Sequence, residues 1–219
     1  MSDRFAAAII PTYNRPDVAR DAINSLHGQV HDILVIDNGD KIAMPYDTEH
    51  AWNWWRVLLH TEQPGNLSRV WNQGINFWTN WVKTNEPWDL VIINDDAIVP
   101  EGWVAMVTDR MREVGAAAGC SGPVTHTVRQ PGIIPYHHRM PGWAFCLAGE
   151  KGLRLDEQFE WWCGDTDLDW QARKAGGMSM VAGPQVANRF ADQSTVGIRQ
   201  MQAQADCARF EAKWGQRPF

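Results

Sequence analysis

The chain opens with an unbroken apolar run, Phe5 to Ile10, which stops at the polar stretch Pro-Thr-Tyr-Asn-Arg-Pro. From Asp17 to Leu26 the apolar positions recur at helical spacing until Gly28 ends them, so a strand, a loop and a helix are expected in that order. A second strand, Asp32 to Asp37, runs into the turn signal Asp-Asn-Gly-Asp, and Trp54 to His60 reads as a third. Asn66 is a good N-cap for a helix that places Leu67, Val70, Trp71, Gly74, Ile75, Trp78 and Val82 on one face. After the strand Asp89 to Asn94, a helix is expected from about Glu101 to Val114, entered through Pro100 and closed by Gly115.

Further on, Ala116 to Gly122 and Trp143 to Gly149 read as buried strands, and Asp165 to Gly177 as a helix with acids at its start and a glycine pair at its end. Between Pro123 and Pro141 the proline, glycine and histidine content predicts a long loop. Strands alternating with helices imply an α/β domain with a mostly parallel sheet flanked by helices on both faces. In such sheets ligands gather at the carboxyl ends of the strands.

That rule assigns the polar residues to one place. The loop after strand one (Pro11, Thr12, Tyr13, Asn14, Arg15), the acid ending strand two (Asp37) and the cluster Asn94, Asp95 and Asp96 should share one rim. Taken singly, Thr12, Asn14 and Asp37 are also ordinary capping and turn residues. Two adjacent carboxylates at a strand end need water, hydrogen-bond donors or a cation. Mg²⁺ and Mn²⁺ commonly bridge one or two carboxylates to substrate phosphates, so two acids suffice for a metal-nucleotide site. If strand geometry persists, Asp95 and Asp96 point opposite ways and one alone is the direct ligand.

Composition narrows the class. A chain of 219 residues has room for one sizeable domain, and a formal charge of -6 disfavours sequence-independent binding to nucleic-acid phosphates. Cys120, Cys146, Cys163 and Cys207 are scattered without metal-ligand spacing and read as reduced thiols, which with the absence of signal-peptide anatomy or a membrane-span-sized apolar run suggests a cytoplasmic protein. The 13 tryptophans could line a sugar site, although most copies in any protein serve the core.

The ordered set AAIIPTYNRP, ILVIDNGD, NLSRVWNQGIN, INDDAIVPEGW, LDEQFEWWCGDTDLDWQARKAGG and the closing RFEAKWG resembles family 2 glycosyltransferases, from about Phe5 to Gly215. The resemblance implies a single GT-A catalytic domain over 1–219, with a Rossmann-like, mostly parallel sheet. Its nucleotide-sugar-binding half would span about 1–115 and its acceptor-binding half about 116–200, with a C-terminal extension at 201–219. It implies nucleotide contacts from Pro11, Thr12, Tyr13, Asn14, Arg15 and Asp37, with Asp37 near the base, and a helix segment with Asn72 and Gly74 bordering the pocket. Asn94, Asp95 and Asp96 match the DxD-type element, in which Asp96 is the ligand for Mn²⁺ or Mg²⁺ and Asn94 replaces the first acid. Asp165 matches the base of the EDxDL pattern, with Gly164 in place of the preceding Glu and Asp167 as the second acid. Asn188 stands where many relatives carry a metal-site histidine.

The implied reaction transfers a sugar, with inversion, from a nucleoside diphosphate, UDP being commonest in the family, to an acceptor hydroxyl. Trp161 and Trp162, together with Asp167, are candidates for the sugar or acceptor wall, and the stretch Tyr136 to Arg139 for a reach from the long loop. Family acceptors include lipids, polysaccharides, proteins and small molecules, a range that leaves room for a modified DNA base. Two competing readings are a metal-dependent nuclease or phosphatase pooling Asp95, Asp96, Asp165, Asp167 and Asp169 around two ions, and a non-catalytic carbohydrate-binding protein. The ordered acids argue against the first, and the α/β alternation against the second.

Overall fold

A computed structural model describes residues 4–39, 55–59, 66–83, 86–189 and 198–219; Asp40, Trp54 and His60, which bound two of the expected segments, lie outside them. The first half alternates as expected: β1 (Ala6–Thr12), α1 (Pro16–Ser25), β2 (Asp32–Asp37), β3 (Trp55–Leu59), α2 (Leu67–Trp81) and β4 (Asp89–Ile93). Strands β1, β2 and β4 are buried along their whole length. Helices cover both faces of the sheet, which is why these strands read as continuous apolar runs and not as alternating ones.

Alternate residues serve the two layers. Ala8, Ile10, Val35, Val91 and Ile93 pack with Ala19 and Ile23 of α1 and with Trp103 and Val107 of α3 (Trp103–Glu113). Ala7, Ile9, Leu34, Leu90 and Ile92 pack with Val70, Trp71 and Trp78 of α2 and with Leu168 of α4 (Gly164–Lys174). Asn66 caps α2 by accepting from the Arg69 N–H at 2.9 Å. Gly74 lets α2 press onto β1, since a Cβ there would stand 2.8 Å from the Ile9 side chain. Among the described residues, Trp71, Trp78, Trp88, Trp103 and Trp170 are buried in the core.

The second half adds β5 (Ala97–Ile98), β6 (Ala118–Gly122), β7 (His126–Val128), β8 (Ala144–Ala148), β9 (Met178–Ala182) and β10 (Ala187–Asn188). The main sheet has the order β3-β2-β1-β4-β8-β6-β9-β7, and β10 pairs with β5 beside it. The pairs β3-β2, β2-β1, β1-β4 and β6-β9 are parallel; β4-β8, β8-β6 and β9-β7 are antiparallel. The long connection expected from Pro123 to Pro141 therefore contains an edge strand, β7, too short to show a period. The connection from β7 to β8 holds a 3-10 turn at Tyr136–His138 and passes β9 and β6, so that β8 inserts antiparallel between β4 and β6.

A third apolar cluster joins Phe159, Cys163 and Trp170 to Phe210 of α5 (Ile198–Trp214), with Trp214 against it. The C-terminal segment is thus docked on α4 as a packed helix. Among the described residues, no helix is long and apolar enough to cross a membrane.

Candidate active site

The rim forms where β1, β2 and β4 end together. Thr12 lies opposite Asp37 in the β1-β2 register, and the Asn38 N–H donates to the Thr12 carbonyl at 2.9 Å. The Gly39 N–H donates to Asp37 Oδ1 at 2.9 Å, which shapes the turn. Asn14 holds a left-handed backbone, φ 54°, in the first loop. A Cβ on Gly39 would stand 2.3 Å from Asn14 Oδ1, so the two loops are pressed together. Pro11 is buried under this contact, while Tyr13, Asn14 and Arg15 are exposed.

Strand geometry does not persist through the acidic pair. After Ile93 the Asn94 N–H donates to the Trp143 carbonyl at 2.9 Å, and the Ala97 N–H returns to the Asn94 carbonyl at 3.1 Å, so Asp95 and Asp96 occupy a turn. The turn still sorts them. Asp95 is 2% exposed and accepts from Thr12 Oγ1 at 2.9 Å and Arg15 Nη2 at 2.7 Å. Burial raises its pKa, and Arg15 and Thr12 partly oppose that rise. Asp96 is 7% exposed; its Oδ1 has no partner, and Arg15 Nη1 stands 3.9 Å from Oδ2. The Asn94 side-chain carbonyl oxygen is also buried without a partner.

Two unsatisfied acceptor oxygens in one acidic turn fit a hard divalent cation that takes oxygen ligands. Among the described residues no three His, Cys, Asp or Glu side chains converge as a metal cage. Strand β10 brings Asn188 opposite Ala97, and the Arg189 N–H donates to the Asp96 carbonyl at 3.0 Å. Asn188 thus lies beside the acidic turn.

Asp165 reaches the same region along β8. The register pairs Ile93 with Ala144, Asn94 bonds Trp143, and a Cβ on Gly142 would stand 2.5 Å from Asp165 Oδ2. A continuous path of contacts therefore runs from Asp37 through Thr12, Asp95, Asn94, Trp143 and Gly142 to Asp165. Asp165 sits in the first turn of α4, where Cys163 at φ 62° starts the helix and the Thr166 N–H donates to Asp165 Oδ1 at 2.8 Å. Burial pushes the Asp165 carboxyl above the usual aspartate range, while that N–H and the charge of Arg139 oppose the rise. Arg139 belongs to the Tyr136–Arg139 stretch, and its charge acts on Asp169 as well.

Two expected site residues are committed elsewhere. Asn72 of α2 is buried and grips the backbone of Leu155, donating to its carbonyl at 2.8 Å and accepting from its N–H at 2.9 Å. Asp167 is fully buried and accepts from Trp214 Nε1 at 2.7 Å, Lys213 Nζ at 3.0 Å and Gln171 Nε2 at 2.6 Å. It lies on the face of α4 that packs against α5, not in a wall. Trp161 is half-buried, with Arg199 4.0 Å over its ring, and Trp162 is exposed.

Sequence reading passed over Gly142 and Asp206. The only sign of Gly142 is its place between Pro141 and a strand; Asp206 sits in a helix with no motif around it. A shallow cavity of about 610 Å³ lies away from the rim, lined by Arg154, Asp156, Lys174, Lys213 and Trp214. It opens beside the C-terminal half of α4, away from Asp165.

The family model described as "Glycosyl transferase family 2" matches residues 7–163, well over half of the chain, and stops two residues before Asp165. Among solved structures, a crystal structure of S. aureus TarS residues 1–349 is similar, with a TM-score of 0.61 and 10% identity over 83% of this chain and 59% of that one. A further crystal structure of S. aureus TarS gives a TM-score of 0.58 at 10% identity, over 83% of this chain and 36% of that one. The chain thus spans less than two thirds of the length of either structure, and at such identity the likeness is one of fold. No curated protein matches the chain in sequence.

Proposed function

The chain belongs to glycosyl transferase family 2 and has the GT-A type of fold, and from this we propose that it transfers a sugar from a nucleoside diphosphate to an acceptor hydroxyl with inversion. The observation that carries the reading is the path from Asp37 through Asp95 to Asp165, which links the polar rim to a separate, half-buried carboxylate. In this reading Pro11 to Arg15 and Asp37 line the nucleotide, UDP being the favoured one. Asp96, with Asn94 beside it, would hold Mn²⁺ or Mg²⁺, which supplies charge neutralisation for the departing diphosphate.

The chain's own residues do the rest. Arg15 bonds Asp95 and reaches toward Asp96, so it keeps two adjacent carboxylates tolerable before substrate arrives. Asp165 takes the proton of the acceptor hydroxyl as its oxygen attacks the anomeric carbon and the bond to the diphosphate breaks on the opposite face. A raised carboxyl pKa favours that step, since a base is most effective when its pKa lies nearer the working pH. Trp161 and Trp162 precede Asp165 and offer apolar faces for sugar rings.

The pooled-aspartate hydrolase is disfavoured by specific contacts. Asp167 is closed off by Lys213 and Trp214, and Asp169 by the buried Arg173, so neither is available to a second ion.

Incubation with a panel of nucleotide sugars and Mn²⁺, followed by release of UDP, GDP or dTDP, tests the proposal. Asp96→Asn should abolish Mn²⁺-dependent nucleotide binding in calorimetry. Asp165→Asn should keep that binding and lose turnover by about 10²- to 10⁴-fold. Normal turnover by Asp165→Asn would remove the base assignment.

A further inference from the structure

We infer that Asp206 of α5 is a positioning residue for the base: it holds the backbone just before Asp165 and so fixes where that carboxylate and the Trp161–Trp162 pair stand. The inference rests on the reading of Asp165 as the base.

The segment from Leu155 to Cys163 is largely irregular, yet it must deliver Asp165 to a defined point. Helix α2 grips it on one side: Asn72 clasps Leu155, Ser68 Oγ donates to the Phe159 carbonyl at 2.8 Å, and the Leu67 N–H reaches the Glu160 carbonyl. Those bonds end at residue 160. The next three residues carry the tryptophans and the left-handed Cys163, and their grip comes from α5. Asp206 Oδ2 accepts the N–H groups of Trp161 at 2.9 Å and Trp162 at 2.8 Å, and Oδ1 faces the Glu160 N–H at 3.4 Å.

Asp206 has 0% exposure, and the Arg209 guanidinium donates to its Oδ1 at 2.7 Å. A carboxylate taken wholly out of water is retained where its hydrogen bonds are made, and three successive backbone N–H groups form a concavity suited to an anion. Bonds from an N–H to a charged acceptor are roughly twice as strong as neutral ones, so this contact fixes the segment more firmly than a neutral side chain would. Cys163 follows at once, its Sγ 3.5 Å from that of Cys207, next to Asp206 on α5. Asp165 is two residues further. A loosened 160–162 segment would therefore shift the base relative to the rim without touching Asp95, Asp96 or the nucleotide loops.

The test uses the full chain in three variants: Asp206→Asn, which keeps the shape but removes the charge; Phe210→Leu, which loosens α5 through apolar contacts alone; and Asp165→Asn. Release of UDP from UDP-glucose and UDP-N-acetylglucosamine with Mn²⁺ gives kcat and KM. Calorimetry with UDP and Mn²⁺ gives nucleotide binding, and carboxyl ¹³C NMR follows the titration of Asp165. For Asp206→Asn we expect kcat lower by tenfold or more, KM and UDP binding within twofold of the parent, and a displaced Asp165 midpoint. Phe210→Leu should lower Tm while leaving kcat and the midpoint in place.

If Asp206→Asn keeps the parent kcat and midpoint while Asp165→Asn is inactive, the role given to Asp206 is overturned and the base assignment stands. Equal shifts in Asp206→Asn and Phe210→Leu would also overturn it, by reducing Asp206 to a stabiliser of α5. Normal turnover in Asp165→Asn overturns the base assignment and the inference together.

Discussion

Asp165 and Gly142 stand so close that a single methyl group does not fit between them: a Cβ on Gly142 would lie 2.5 Å from Asp165 Oδ2 and 3.1 Å from its Cγ. Gly142 thus sets the approach of the loop before β8 to the candidate base. Gly142→Ala is expected to push the carboxylate aside and to lower kcat by about 10²-fold, the cost associated with ångström-scale misplacement of a reacting group. Nucleotide binding should persist, because the acidic turn is reached through the Trp143 carbonyl, which the substitution leaves in place. Steady-state kinetics beside UDP calorimetry checks both halves; an unchanged kcat would mean that the carboxylate is free to move.

The same carboxylate should cost the fold stability. Burial raises the Asp165 pKa above its ordinary 3.8, so the folded state binds its proton more tightly than the unfolded chain does. Stability from this group is then fullest at low pH, where both states are protonated, and falls as pH rises from the unfolded value through the folded one. Asp165→Asn removes the charge and with it the loss. The variant should therefore melt above the parent at neutral pH, and the gap should close as pH is lowered toward 4. Differential scanning calorimetry across that range decides it; a gap that widens on acidification would reverse the sign.

Arg15 has a related role at the other end of the rim. It opposes the burial-driven rise of the Asp95 pKa. Arg15→Met leaves Asp95 with Thr12 as its side-chain donor and pushes its pKa up further, so at neutral pH the variant carries a buried and poorly compensated charge. The expected loss is about 1–3 kcal/mol, in the range for a charged group deprived of a hydrogen-bond partner. Below the parent's Asp95 pKa, where the carboxyl is neutral in both proteins, the difference should shrink. Chemical denaturation at two pH values measures it.

Much of this arrangement could be read from the chain, for a physical reason. Strands β1, β2 and β4 are buried on both faces and so announce themselves as apolar runs, and Asn66 and Pro16 mark helix starts through local chemistry. Their parallel order then assigns Thr12, Asp37 and Asp95 to one rim. What stayed hidden depends on distant contacts. Asp167 looked like an acceptor residue because its motif places it there, yet Trp214 and Lys213, 46 or more residues away, bury it. Asn72 looked like a pocket residue, and its amide is spent on Leu155, 83 residues on. Gly142 and Asp206 carry no pattern, because a close approach and a buried anion have no period.

Gly164 stands where the resemblance to the EDxDL pattern implies a Glu, and Ser68 occupies the space a side chain there would need. A Cβ on Gly164 would lie 2.7 Å from Ser68 Oγ, and that hydroxyl is held in place by its bond to the Phe159 carbonyl. A larger residue at 164 therefore collides with a fixed atom of α2, not with a side chain free to swing away. Gly164→Ala should destabilise the protein by about 1–3 kcal/mol, the usual cost of overpacking a filled site. Ser68→Ala alone should cost about 1 kcal/mol for the lost hydrogen bond. If the clash is the cause, the double variant is more stable than the sum of the two predicts, with a coupling of about 0.5–3 kcal/mol between residues in contact. A double-mutant cycle by urea denaturation measures that coupling, and strict additivity would show that the glycine is required for another reason.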